Sequence, residues 1–160
     1  MRRRNGFTLF EIMTVVVMLA IMVALTLPRM SVAKRSASMQ SARAQVESYI
    51  SAARAFAIRN GGRTQLVQVG NTMYVQADTG TGWIVVVKPT RFNQTANVTL
   101  TGTVASILFD ARGLATGLNA AGEKFYLTGE SVYGTTVKDS VCITRFGAPL
   151  DRRCGAAASP

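Results

Sequence analysis

A single carboxylate near the N-terminus is the residue whose type and position most need a chemical explanation. Glu11 stands at the start of an apolar segment that contains no other charged residue before Arg29. An unpaired carboxylate in hydrocarbon costs roughly 2.5–3.5 kcal/mol on insertion scales, so an acid in such a segment indicates a function. Gly6 and Phe7 precede it, behind three arginines at residues 2–4. The stretch from Gly6 to Glu11 is therefore the first candidate site.

Elsewhere the sequence contains no set of residues suited to catalysis or metal binding. It has no histidine and only two cysteines, which excludes Ser-His-Asp and Cys-His arrangements and leaves no cluster with metal-ligand spacing. Neither a Walker-type phosphate loop nor a dinucleotide-binding glycine motif is present. The eight acids are scattered, with no close pair for acid–base work: Glu11, Glu47, Asp78, Asp110, Glu123, Glu130, Asp139 and Asp151. We therefore expect no enzymatic activity, no metal and no cofactor.

The composition is that of a folded chain with a basic balance. Of 160 residues, 48% are hydrophobic and 16% charged, which is too apolar for a disordered chain. Lys and Arg outnumber Asp and Glu by 18 to 8, a formal charge of +10, and loss of the three arginines at residues 2–4 lowers it to +7. A positive balance favours anionic surfaces or nucleic acid as partners, or simply keeps an exposed surface soluble.

An apolar run extends from Ile12 to Pro28 and, with residues 7–10 before it, approaches the ~20 residues that span a bilayer. Three interpretations fit this run. It is a secretory signal cleaved near Ser31–Ala33, a plain single-span anchor, or a segment in which the Gly6–Glu11 stretch has a role of its own. The run is longer than a typical signal core, and a plain anchor leaves the acid without a function. The third interpretation is therefore favoured.

One N-terminal helix is predicted over residues 7–61, with a transmembrane part at about residues 7–28. Beyond the apolar run, apolar residues recur at alternating spacings of three and four and form a narrow stripe: Met39, Ala42, Val46, Tyr49, Ala53 and Phe56. Asn60-Gly61-Gly62 supplies a C-terminal stop. Because Pro28 cannot donate to the helical hydrogen-bond ladder, a helix break is predicted there.

Residues 62–160 are predicted to form a β-rich globular domain, because short β-prone runs alternate with turn residues. The predicted strands are residues 64–69, 72–76, 83–87, 98–100, 106–109, 124–127 and 141–144. Gly70-Asn71 is a tight hairpin turn between the first two. Trp83–Val87 is expected to be the strongest buried strand, ended by Pro89. A body of roughly 100 residues buries its own core only marginally, so the helix stripe would complete it.

The two cysteines enclose eleven residues near the C-terminus. A disulfide between Cys142 and Cys154 would tie down the chain end, with about 3 kcal/mol of stabilisation for a loop of this size. A redox role is disfavoured because C-x-x-C spacing is absent. Such a bond requires an oxidising compartment, which puts the N-terminus in the cytoplasm. The loop also carries a basic set that could contact DNA or another anion, or simply be solvated: Arg145, Arg152 and Arg153, beside Phe146.

The stretch Gly6-Phe7-Thr8-Leu9-Phe10-Glu11, the apolar tract after it and Pro28 resemble the class III leader and N-terminal helix of type IV pilins and pseudopilins. The resemblance implies a leader peptide at residues 1–6, cleavage by prepilin peptidase between Gly6 and Phe7, and N-methylation of Phe7. It also implies that Glu11, the fifth residue of the mature chain, pairs with the terminal amine of a neighbouring subunit during assembly. Such a pair neutralises two charges that are each costly in lipid.

The rest of the chain resembles the GspH/FimT group of minor pilins and pseudopilins. The likeness rests on the helix, the β-rich body, the Phe109–Gly113 turn and the C-terminal cysteine pair. The implied fold is α+β, with a long N-terminal helix packed on a small antiparallel β-sheet or β-sandwich domain. Some relatives bind DNA through a Gly-Arg-x-Arg motif, which this chain lacks; it has Asp151-Arg152-Arg153 instead.

The resemblance implies a structural subunit, a minor pilin that takes part in priming and assembly of a type IV pilus. A GspH-like pseudopilin of a type II secretion system and a pilus-displayed, DNA-binding minor pilin involved in DNA uptake are the alternatives. The implied location is the bacterial inner membrane, single-pass, with residues 62–160 in the periplasm before incorporation into a pilus or pseudopilus. The expected partners are other pilins or pseudopilins, prepilin peptidase, the inner-membrane assembly platform, membrane lipid and, as a further candidate, DNA.

Overall fold

The computed structural model describes the backbone of residues 8–118, 122–132 and 135–151, and the side chains of these ranges except at residues 25–32, 130–132, 135, 137 and 151. The chain divides into two compact units, Met1–Ser36 and Ala37–Pro160. A helix of 52 residues, α1 (Leu9–Asn60), supplies the regular structure described in the first unit and continues into the second.

The helix break predicted at Pro28, a kink or local weakening, does not interrupt the secondary structure. α1 is continuous from Leu9 to Asn60. A proline inside a helix removes one backbone donor and crowds the carbonyl four residues earlier, and a helix that continues for many turns on both sides retains the rest of its ladder. A local weakening of the helix at this residue stays a prediction.

Within the second unit, α1 buries one face, largely as its apolar stripe predicts. Met39, Ala42, Val46, Tyr49 and Ala53 are all buried, as expected. The stripe ends differently, because Ile50 and Ala57 are buried whereas Phe56 is only partly covered. The guanidinium carbon of Arg59 lies 4.6 Å from the centre of the Phe56 ring, a cation–π contact. Alanine therefore takes the last core position, and the aromatic ring lies at the edge of the stripe.

Two antiparallel sheets make up the β-structure that the described residues contain. The first comprises β1 (Thr64–Val69), β2 (Thr72–Asp78), β3 (Trp83–Arg91), β5 (Ser106–Phe109) and β6 (Ala115–Thr116), in the order β3-β2-β1-β5-β6. The second comprises β4 (Val98–Gly102), β7 (Glu123–Val132), β8 (Thr135–Ile143) and β9 (Pro149–Asp151), in the order β4-β7-β8-β9. A short helix, α2 (Phe92–Thr95), connects β3 to β4. The α+β prediction is confirmed, while α2, β6 and β9 were not predicted.

One hydrophobic core joins the helix stripe to the inner faces of both sheets. Alternate residues of β2, such as Met73 and Val75, and of β7, such as Phe125 and Leu127, contribute to it. The largest side chains with almost no exposure are Phe92, Phe109 and Phe125, one each from α2, the first sheet and the second sheet. Full burial of such a side chain stabilises the fold by about 1.5–3 kcal/mol. The helix is therefore the element that both sheets share.

The β1–β2 hairpin has the predicted two-residue turn. Val69 pairs with Thr72 in the antiparallel register, which leaves Gly70 and Asn71 as the turn. Gly70 has a φ of 56°, in the left-handed region that glycine adopts without the cost of a Cβ. A positive φ at the first turn position is the type II′ pattern, which matches the twist of the flanking strands.

Two amide side chains of this hairpin cap the outer edge of β4 in the other sheet. The Asn71 Oδ1 accepts a hydrogen bond from the Leu100 N–H at 2.7 Å. Gln68 accepts from the Gly102 N–H at 2.9 Å through Oε1, and its Nε2 donates to the Leu100 carbonyl at 3.4 Å. β4 is the edge strand of its sheet, and edge strands present unpaired backbone groups. Gln68 and Asn71 satisfy these groups and fasten the two sheets to each other.

The sequence prediction for β3 is wrong in both its burial and its end. The strand lies at the edge of the first sheet, with Trp83, Ile84 and Val85 exposed, and it continues through Pro89 to Arg91. Its register against β2 shifts twice, between Met73 and Val75 and between Val75 and Gln76. Proline is tolerated in sheets at edges and bulges. Because β3 has both features, Pro89 does not end it.

The cap on β4 predicts a loss of stability on removal of either amide. Gln68→Ala or Asn71→Ala should lower the free energy of unfolding by roughly 1–3 kcal/mol, because each leaves a partly buried backbone donor unpaired. Gln94→Ala, which removes an exposed amide from α2, is the matched control and should change stability by less than about 0.5 kcal/mol. Chemical denaturation followed by circular dichroism measures all three. Equal effects of Gln68→Ala and Gln94→Ala would show that the cap contributes nothing.

Candidate functional site

Thr8 caps the start of α1 and places Glu11 in the first turn. The Glu11 N–H donates to the Thr8 Oγ1 at 3.3 Å and to the Thr8 carbonyl at 3.1 Å, and the Ile12 N–H donates to the same carbonyl at 3.2 Å. A threonine followed three residues later by glutamate is the sequence pattern of a capping box. The helix N-terminus carries a partial positive charge that favours an acid in this turn. The local fold therefore holds the Glu11 carboxylate at the helix start.

The side chains around Glu11 are apolar and exposed. Leu9 is 80% exposed and Phe10 76%, and every large apolar side chain from there to Val23 is at least half exposed. Gly6 and Phe7, where cleavage and methylation are predicted, lie outside the described residues. No helix in the part of the chain that the structure describes is both long and apolar enough to cross a membrane.

Arg145, the first of the predicted basic residues, lies on a tight turn between β8 and β9. The Gly147 N–H donates to the Thr144 carbonyl at 2.9 Å, which leaves Arg145 and Phe146 at the two central positions. Both side chains are exposed, Phe146 by 72%. Arg152 and Arg153 lie outside the described residues, so the structure places one member of the predicted basic set.

The predicted disulfide is described from one side. Cys142 is buried in β8 and disulfide-bonded. The sequence holds one other cysteine, Cys154, which lies outside the described residues. The bond thus starts from a core position two residues before the turn that carries Arg145.

The Phe109–Gly113 turn packs against the Arg145 turn. Asp110 organises it, since its Oδ1 accepts from the Arg112 N–H and the Leu114 N–H, both at 2.9 Å. A Cβ on Gly113 would lie 2.7 Å from the Ile58 Cδ1, and one on Gly147 would lie 2.5 Å from the Gly113 carbonyl oxygen. The two glycines allow α1, this turn and the Arg145 turn to stack in contact.

A main-chain bond adds to this stack, because the Ala115 N–H donates to the Arg145 carbonyl at 3.0 Å. The Arg145 backbone is therefore held by β6 of the first sheet, while its side chain stays exposed. Residues of both turns stand out in the sequence, but the contact between the two turns was not predicted. Glycine at positions 113 and 147 was the signal that could have indicated close backbone approach.

Two of the scattered acids come together at one open cleft of about 540 Å³, which Asp78, Asp110 and Arg63 line. Both carboxylates already serve as turn acceptors, since Asp78 Oδ1 accepts from the Gly80 N–H at 2.8 Å. The hydrogen bond from Leu114 is the main reason why the pKa of Asp110 lies below its ordinary value, and Arg112 lowers it further. Asp110 is therefore ionised at neutral pH and unsuited to donate a proton. Within the described ranges, no group of three or more candidate ligands could hold a metal ion.

Sequence comparison gives one match, at the N-terminus. The profile of the prokaryotic N-terminal methylation motif matches residues 1–27. A comparison with curated protein sequences finds no significant match.

Structural comparison gives the fold. Two crystal structures of the type IV minor pilin FimU from Pseudomonas aeruginosa (strain PAO1), in space groups P21 and P65, superpose with TM-scores of 0.56 and 0.54. Each alignment has 14% sequence identity and covers 72% of this chain. It covers 89% of the FimU chain in the P21 structure and 93% in the P65 structure.

The N-terminal residues of this chain thus match a methylation motif, and its helix-and-two-sheet fold is similar to that of the type IV minor pilin FimU.

The bonds of Asp110 predict an acid-sensitive contribution to stability. A carboxyl whose folded-state pKa is lowered stabilises the fold above its ordinary pKa of 3.8, and the contribution is lost as the pH falls through the lower folded-state value. Asp110→Asn should therefore lower the melting temperature at neutral pH, and the difference from wild type should shrink below pH 3.8. Thermal unfolding monitored by circular dichroism across this range measures it. A difference that stays constant or grows on acidification would contradict the assignment.

Proposed function

We propose that this chain is a minor pilin, a structural and non-enzymatic subunit of a type IV pilus that takes part in priming and assembly of the filament. The observation that carries the proposal is the occurrence of the N-terminal methylation motif and the fold of a minor pilin in the same chain. The motif alone is compatible with many kinds of exported domain. The similarity of the fold to FimU favours a pilin-like protein among them.

The exposed apolar surface of α1 supports membrane insertion before assembly. From Leu9 to Val23 the helix exposes a continuous set of large aliphatic and aromatic side chains, far more than an isolated soluble helix tolerates. In sequence the apolar run continues to Pro28. In this proposal the segment anchors the chain in the inner membrane, with the N-terminus cytoplasmic and the β-rich unit periplasmic, and later packs among other pilins in the filament.

The proposed processing and assembly sites lie together at the N-terminus. Prepilin peptidase cleaves between Gly6 and Phe7, the Phe7 amine is methylated, and Glu11 pairs with the terminal amine of a neighbouring subunit. The capped first turn supports this role, because it places Glu11 at the start of the helix among exposed, mostly apolar side chains. Other pilins and the inner-membrane assembly platform are the partners in this scheme. A pseudopilin of a type II secretion system would use the same chemistry with different neighbours.

The pairing role predicts a specific defect. Glu11→Ala should leave cleavage, methylation and membrane insertion intact but reduce the amount of this subunit in sheared filaments at least about tenfold, because the partner's ammonium is left unpaired in an apolar interface. Quantitative mass spectrometry of membranes and filaments measures both quantities. The same spectra identify the mature N-terminus, which we expect to be methylated Phe7.

Glu47→Ala is the matched control, since it removes a partly buried carboxylate of the same helix that pairs with Arg43 at 3.0 Å. Arg43 keeps a second acidic partner, Asp139 at 3.5 Å, so incorporation should be normal. Normal incorporation of Glu11→Ala would refute the pairing role. A mature chain that begins at another residue would refute the processing site instead.

DNA binding at the Arg145 turn is a second candidate function. The observation in its favour is an exposed arginine beside an aromatic ring that is 72% exposed, on a turn whose backbone is held by Thr144, Ala115 and Gly113. A rigid turn presents the guanidinium to a phosphate and the ring to a base at little entropic cost. The absence of Gly-Arg-x-Arg from the sequence is the feature against a DNA-uptake role.

If the turn binds DNA, the full-length chain in detergent micelles should retard a DNA fragment at low salt and less so at moderate salt. Arg145→Ala should weaken binding and reduce the slope of log affinity against log salt by about 0.9. Phe146→Ala should weaken binding without changing that slope. Lys138→Ala, which removes an exposed charge from β8, is the control. Retardation that does not depend on salt, or an equal effect of Lys138→Ala, would reject this candidate.

A further inference from the structure

The N-terminal half of β3 is an exposed apolar edge. Trp83, Ile84 and Val85 are 42%, 53% and 52% exposed, and among the described strands β3 has a neighbour on one side only, β2. Consecutive apolar residues point to opposite faces of a strand. An edge strand with apolar residues on both faces and an open backbone edge is a template for another strand.

The register shows that both faces of this half-strand are apolar. Ile84 lies opposite Ala77, which is buried and faces the core, so Ile84 lies on the core side of the sheet. Trp83 and Val85 pair with Asp78 and Gln76 on the other side. Continuous aliphatic runs are typical of strands that are covered on both faces. The composition of β3 is thus that of an interior strand, although the chain alone leaves it at an edge.

The protection that edge strands usually carry is confined to the other half of β3. Lys88 and Pro89 both discourage pairing, and the Tyr49 hydroxyl already donates to the Lys88 carbonyl at 2.6 Å. The first register shift also lies in this half, between the pairs Met73–Thr90 and Val75–Val87. From Trp83 to Val85 the register against β2 is regular. The two halves therefore differ, and only one is left able to accept a strand.

The positive charge near β3 favours a negatively charged partner segment. Lys88 and Arg91 are exposed on β3, and Asp78 is the one acid among the β2 residues paired with it. The whole chain carries 18 basic and 8 acidic residues, so a second copy brings a surface of the same sign. A segment that bears carboxylates is attracted instead, and the attraction adds to the burial of apolar surface.

We propose that Trp83–Val85 of β3 is a docking edge that accepts an extended, acidic and apolar segment of another protein by β-strand addition. Main-chain hydrogen bonds would give affinity, and the exposed side chains on both faces would select apolar residues. The proposal stands apart from the pilin assignment. In a filament, the segment would come from a neighbouring subunit with an acidic surface.

The edge carries its own reporter, because Trp83 is the only tryptophan in the chain. Full-length protein in neutral detergent micelles is titrated with an eight-residue peptide that alternates Val and Glu, and with a second peptide that alternates Val and Lys. We expect a saturable blue shift of Trp83 emission and reduced acrylamide quenching with the Glu peptide only. Equal responses to both peptides, or none to the Glu peptide, would overturn the proposal.

A variant pair locates the binding. Val85→Glu should weaken binding of the Glu peptide by roughly tenfold or more, because it places a charge on the apolar edge and repels the carboxylates of the peptide. Val69→Glu makes the same change at an apolar side chain that is 62% exposed on β1, and it should leave binding unchanged. Circular dichroism verifies that both variants fold. Equal binding by the two variants would place the peptide elsewhere and refute the docking edge.

Self-association is the remaining outcome to separate. Sedimentation of the full-length chain in the same micelles should show one protein copy per micelle over a wide range of protein-to-detergent ratios. Concentration-dependent dimers that disappear in Val85→Glu would show that the edge accepts a second copy of this chain and would overturn the assignment to an acidic partner.

Discussion

Burial of one narrow face of α1 under two sheets is the interaction on which the rest of the second unit depends. The sheets share no strand, and their inner faces meet the same stripe of helix residues in one continuous core. Three of those helix residues are alanines, at positions 42, 53 and 57. A body of roughly 100 residues buries too small a core alone. The compact unit accordingly begins at Ala37 and includes the second half of the helix.

With the core shared in this way, stability of the unit depends on how each sheet edge is treated. The free edge of β4 is capped by the Gln68 and Asn71 side chains, and β6 is joined to the Arg145 turn by the Ala115 hydrogen bond. Both devices connect one sheet to the other, so they also fix the relative position of the two layers. The outer edge of β3 is the exception, since only its second half is protected. In contrast to the β4 and β6 edges, which have dedicated contacts, β3 is open where its side chains are most apolar.

The sequence of this protein predicts local secondary structure better than it predicts which elements lie next to each other in the fold. The helix stripe and the Gly70-Asn71 turn follow from spacing and turn chemistry alone, because these depend on residues close in sequence. The position of β3 does not, since a run of Trp, Ile and Val indicates a tendency to be buried but carries no information about sheet order. Phe56 was expected in the core for its place in the apolar stripe, yet it is only partly covered, and Ala57, the next residue along the helix, is buried instead. The contact between Gly113 and Gly147 joins residues far apart in sequence and was visible only as two glycines.

At the N-terminal site, the intermolecular role proposed for Glu11 uses the same turn as a local helix cap. Thr8 satisfies a backbone donor at the start of α1, and Glu11, three residues later, lies where the partial positive charge of the helix end is strongest. That charge stabilises an acid by about 0.3–1 kcal/mol, whereas an unpaired carboxylate in hydrocarbon costs roughly 2.5–3.5 kcal/mol. The helix end therefore offsets only part of the cost, and about 2 kcal/mol remains to favour pairing with a cation. In the proposed role, an acid in the first turn is thus stable enough to be inserted and still unsatisfied enough to favour association, a balance that the middle of the helix could not provide.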